Sequence, residues 1–146
     1  MDLIYRLFIY LHVLSAVASI GPFFILLSIV KKLRTANEAE LNAYLHTFRF
    51  VVLLTKHSGH VLVSTGVLLI FSGPWTWGTS WIIMTLLILF CSLFFLARAF
   101  SPTLRKFHQK DEDRTVLTAK LNRSIWIYII LLSTMLWLMV VKPVLW

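Results

Sequence analysis

The chain has 146 residues, 59% of them hydrophobic and 14% charged, with a formal net charge of +8. A soluble domain of this size needs more polar surface, so the composition predicts a single domain, residues 1–146, embedded in a lipid bilayer. The basic residues sit between long apolar runs and so mark membrane topology, not a nucleic-acid partner; the single cysteine, Cys91, excludes an intramolecular disulfide and a cysteine-based zinc site.

The first helix is expected over about residues 3–30. Ala16-Val17-Ala18 has the small-x-small look of a signal-peptidase site. The chain stays apolar from Gly21 to Val30 and ends in Lys31-Lys32, so the segment reads as a retained membrane helix. Tyr5, Phe8, His12, Ser15, Ser19 and Pro22 step by three and four and share one face. Ser15, Ala16, Ala18, Ser19 and Gly21 admit close approach of a helix or a flat ligand. Pro22 frees a carbonyl near Ala18.

Thr35-Ala36-Asn37-Glu38 fits a capping box opening a second helix over about 37–72. On it His46, Phe50, Leu53, His57, His60, Ser64, Val67 and Phe71 form a second stripe at helical spacing. Ionisable groups at membrane depth are costly, which predicts that this stripe faces the protein interior. An uncharged turn follows, with Trp75 and Trp77 suited to an interfacial aromatic belt. Ser80 is the expected N-cap of a third helix, about 81–100. Ser101-Pro102 reads as an N-cap and first-turn proline opening a short helix, and a hydrophilic loop leads to a fourth long helix over about 116–141.

The expected fold class is all-α, an integral membrane antiparallel four-helix bundle. All the lysines and arginines from Lys31 to Arg123 fall on one side, with Arg6 and Lys142 on the other. By the positive-inside rule both termini are extracytoplasmic, and the expected location is the bacterial inner membrane, multi-pass.

His12 lies about nine residues from the outer start of its helix and His60 about twelve from the outer end of the next, so their depths agree within roughly 5 Å. Two histidines on facing helices suit haem b, with His12 and His60 as axial ligands and His57 as neighbour or substitute. Ser15, Ser19, Gly59 and Ser64 leave room for a porphyrin edge; Phe8, Phe50 and Leu53 could pack on the macrocycle. Arg6, Tyr5, Tyr10 or Lys56 could meet its propionates. Four readings compete. The histidines could make interhelical hydrogen bonds in a structural subunit. They could bind copper, although Met84, Met135 and Met139 are dispersed. A proton relay lacks a carboxylate within the spans, and zinc hydrolysis lacks a His-Glu-x-x-His pattern. His46 and His108 read as solvated, and there is neither a phosphate loop nor a depth-matched Ser–His–Asp set. The partners expected are the bilayer and a second copy or a redox partner in the membrane.

Leu11-His12-Val13-Leu14-Ser15-Ala16 before Gly21-Pro22, Thr65-Gly66-Val67-Leu68-Leu69, Trp77-Gly78 and Pro102 together resemble a family of small bacterial membrane proteins of unknown function. That family is similar in layout to the copper-resistance D family and the four-helix membrane protoporphyrinogen IX oxidases. The oxidase resemblance implies haem b bound through His12, and the copper resemblance implies metal uptake. The chain lacks the charged residues of the oxidase pattern around the first-helix glycine. It has Ser19-Ile20-Gly21-Pro22 where the copper pattern has Trp-x-Gly-Gly.

Overall fold

The computed structural model describes residues 2–109 and 111–146. Lys110, one of the topology-marking cations, lies outside the described residues. The chain forms α1 (Asp2–Lys32), α2 (Glu38–Ser72), α3 (Ser80–Ala99), a short α4 (Ser101–Lys106) and α5 (Arg114–Val141). Four segments are long and apolar enough to cross a bilayer: α1, α2, α3 continued by α4, and α5. They run antiparallel in sequence, so the protein is the expected all-α membrane four-helix bundle. α1 alone has 31 residues, about 46 Å of helix against the ~30 Å hydrocarbon core, so its ends reach both interfaces.

Packing is uneven around the bundle. α1 lies against α2 along most of its length and also touches α5, which in turn packs on α3. α2 and α3, joined by the tryptophan turn, barely touch. The α1–α2 seam is made by small and hydroxyl residues. Ser15, Ala16 and Ser19 of α1 and Thr55 and Ser58 of α2 are buried, and Thr55 Oγ1 donates across the seam to Ser19 O. Ser15 Oγ donates to His12 O and Ser19 Oγ to Ser15 O, both at 2.8 Å, so these hydroxyls are satisfied within their own helix and cost little to bury.

The helix ends follow local chemistry, with three shifts from expectation. The capping box is Asn37 with Glu40, not Thr35 with Glu38. Asn37 Oδ1 accepts from Glu40 N at 2.9 Å, and Glu40 Oε2 accepts from Asn37 N at 3.1 Å. Both four-residue windows fit the motif. Thr35 is taken up in the turn that closes α1, its N–H donating to Lys32 O. Glu38 instead pairs with Arg114, whose guanidinium also donates to Ala36 O, which fastens the start of α5 to the α1–α2 connection. The second shift concerns Ser80, which is the first residue of α3 rather than its N-cap. Its hydroxyl donates to Pro143 O at 3.0 Å and accepts from Leu145 N at 3.1 Å, which ties the chain after α5 to the start of α3. Third, Ser101 is the first residue of α4 and not its cap, because Phe100 alone separates α3 from α4.

Candidate active site crevice

In the half of the bundle that carries the chain ends, the four long helices enclose an apolar crevice of about 570 Å³. This lies within the ~300–1,000 Å³ range of small-molecule and cofactor sites. Its walls are mostly Leu, Ile, Val and Trp, interrupted by small residues at Ala16 on α1, Gly66 on α2 and Thr85 on α3. The loose α2–α3 contact leaves the space open. His12 is the one imidazole among the lining residues.

His12 is half-buried and held from behind. Its Nδ1 lies 2.9 Å from Thr65 Oγ1. The Thr65 hydroxyl hydrogen is used within α2, toward Val61 O at 2.7 Å or Leu62 O at 3.1 Å. The Thr65 oxygen is therefore free to accept, which places the imidazole proton on Nδ1 and leaves the Nε2 lone pair available. Gly66 makes this fit. A Cβ there would stand 3.2 Å from His12 Cε1, inside ordinary contact distance.

The outer rim is aromatic and carries one cation. α2 stops at Gly73, where a side chain would press on Leu69 O at 2.7 Å and Tyr5 Oη at 3.2 Å. The turn that follows sets Trp75 edge-on to Trp81, with centroids 5.3 Å apart. Lys142 caps α5 in the left-handed region (φ 50°). Its Nζ lies 4.7 Å from the Trp75 ring centre and 5.8 Å from that of Trp81. The Ser80 clamp on Pro143 and Leu145, with Trp146 Nε1 donating to Gly78 O, fixes the chain around it. An ammonium at the mouth of an apolar crevice suits an anionic group on an otherwise apolar ligand.

Of the residues expected at the site, His12 and Tyr5 line the crevice, and His12 is the only expected iron ligand among them. The histidine stripe of α2 does not face the interior: His46, His57, His60 and Ser64 are all exposed. The helix turns α2 so that Thr55, Ser58, Leu62 and Thr65 meet the bundle, and His60 lies about 140° round from Thr65. Within one chain His12 and His60 therefore do not pair, and His57 is no substitute. Ser15, Ser19 and Gly59 are buried in helix contacts, Gly59 against Leu93, and leave no porphyrin slot. Phe50 and Leu53, expected on a macrocycle, face outward. Among the described residues no three His, Cys, Asp or Glu side chains gather to hold a metal ion.

The residues that sequence reasoning missed are Thr65, Gly66, Trp75, Trp81, Thr85 and Lys142. Thr65 had a signal: Leu41, Leu45, Phe48, Thr55, Ser58, Leu62 and Thr65 also recur at helical spacing. Comparison with known proteins adds no neighbour: no family model matches the chain, and no curated protein or solved structure matches it significantly.

Proposed function

We propose that the protein binds haem b in this crevice, with Nε2 of His12 as the axial nitrogen. The observation that carries the reading is the His12 imidazole, fixed by Thr65 in one tautomer and presented at the wall of a membrane-embedded apolar crevice. Lys142 at the rim is the residue suited to a propionate, with Tyr5 beside it. The resemblance of the first-helix motif to the haem-binding oxidases points the same way. When bound, haem b supplies one-electron chemistry and an iron site for small ligands. The chain's own part is to hold the iron through His12, tune that ligand through Thr65 and keep water out with Val, Leu and Ile walls.

A crevice with one imidazole favours haem handling, gas sensing or an oxidase reaction over bis-histidine electron transfer. A redox partner would then be another membrane protein. The basic end of the bundle is proposed to face the cytoplasm of a bacterial inner membrane, with both termini outside. Copper handling is the second reading, because the Met139 thioether lines the same crevice as His12 and that pair suits copper.

The test is an absorption spectrum of the detergent-purified protein, oxidised and dithionite-reduced, with the pigment extracted. A Soret band lost in His12→Ala and retained in His60→Ala is expected. In Thr65→Val the band should remain, with the reduction potential moved by tens of millivolts. A colourless protein from haem-replete cells would sink the haem reading and send the question to copper titration. A spectrum that survives His12→Ala would overturn the ligand assignment.

A further inference from the structure

α2 has a second, unpartnered face. His57 and His60 lie on it one turn apart, both exposed, and neither ring has a hydrogen-bond partner among the described residues. Ser64, one turn further, returns its hydroxyl to His60 O at 2.9 Å. Phe50 and Leu53 on one side and Phe71 on the other complete the stripe with exposed apolar surface. These positions fall within a span apolar enough to cross a bilayer. Lipid offers an imidazole nothing to bond, so such groups are expected to meet protein or a metal ion.

The stripe matches a copy of itself. Imidazole and hydroxyl each carry a donor and an acceptor, so each can bond its own kind, which a carboxylate or an ammonium cannot. Lys56, the nearest exposed cation, lies about 100° round the helix from His57 and one turn before His60, about 40° from it, so it flanks the line at its edge, where its long stem can turn the ammonium away. All copies in one membrane share one orientation. A two-fold axis along the membrane normal therefore sets each histidine against its twin at equal depth. Side chains three residues apart on a helix are neighbours, ~5–6 Å apart at Cβ, so one turn can offer two nitrogens to one ion. A tetrahedral ion takes four ligands, and one chain supplies only two.

We propose that two copies pair along this face of α2, and that His57 and His60 from each form a four-imidazole site for a divalent transition-metal ion. The site is separate from the His12 crevice, and it is incomplete without the second copy.

The test uses the full chain in mild detergent, with Zn²⁺ as probe and light scattering to give the protein mass. Bound zinc is expected at one ion per two chains. The apparent association constant should rise at least tenfold over that in chelator. The double variant His57→Ala/His60→Ala should lose both effects, whereas His108→Ala, in a loop, should keep them. Haem absorbance should be unchanged in the double variant, which separates failure of this site from failure of the crevice reading. In vesicles, Leu53→Cys on a Cys91→Ser background should cross-link between copies faster with Zn²⁺, and Phe94→Cys on α3 should not. Zinc that leaves the mass unchanged, or binding that survives the double variant, would overturn the proposal. Equal cross-linking at Phe94→Cys would do the same.

Discussion

Around Phe23 and around His12, the same four helices pack in opposite ways. Near the α1–α2 connection, Phe23, Phe100 and Tyr128 are almost fully buried and pack together, Phe100 edge-on to both other rings. Phe23 lies 4.5 Å from Tyr128 and 5.6 Å from Phe100, centroid to centroid. Leu26, Leu45, Phe48, Leu121 and Ile125 fill the space around them, and α4 closes that end with Leu104. At the other end Ala16, Gly66, Val67 and Thr85 stand among larger lining residues such as Leu86 and Leu136, and a crevice is left between them. The difference lies in side-chain volume. Lipid is as apolar as leucine, so helices in a bilayer are held by contact and polar bonds, and where small residues interrupt the facing positions the helices need not close. One half of the bundle thus acts as the clamp that lets the other half stay open.

Breaking the clamp should have the largest effect. Phe23→Ala removes the ring at the centre of the aromatic cluster and leaves a cavity, at a cost of about 3 kcal/mol. A lower thermal midpoint in detergent would show this; an unchanged midpoint would mean that this half is not what holds the helices together.

Filling space tells the halves apart. Ala36→Leu pushes bulk into the buried α1–α2 connection and should cost about 1–3 kcal/mol. Val63→Phe adds a bulky ring at the crevice wall and should cost below about 1.5 kcal/mol, because the wall has room. It should also abolish haem uptake, read from the Soret band. Equal destabilisation by the two variants would mean that the crevice is as tightly packed as the other half.

The smallest effect concerns the fastening of α5. Arg114→Ala removes one guanidinium hydrogen bond to Ala36 O and a largely exposed ion pair with Glu38, about 1 kcal/mol together. The loss should shrink at high salt only in its Glu38 part, as Glu38→Gln would report. Complete salt sensitivity would mean that the Ala36 bond contributes nothing.

Sequence alone determined that this is a membrane protein, how many times it can cross and roughly where each helix turns, because hydropathy and basic loops are local properties of the chain. It also singled out His12, whose neighbours in sequence are the small residues on which α2 packs. Which face of α2 points inward was decided only in three dimensions. Two stripes on that helix have the spacing of a buried face, one of histidines and one of Thr55, Ser58, Leu62 and Thr65. Choosing by the cost of an exposed imidazole selects the first. The structure selects the second, because small hydroxyl residues let α1 and α2 approach closely while their hydroxyls find backbone carbonyls, Thr65 on its own helix and Thr55 at Ser19 O across the seam. Periodicity gives a helix its faces; only its neighbours settle which face each one covers. For the same reason the crevice was illegible in the sequence: it is formed by Ala16, Gly66, Thr85 and Lys142, each from a different helix or helix end, and it exists because α2 and α3 stand apart.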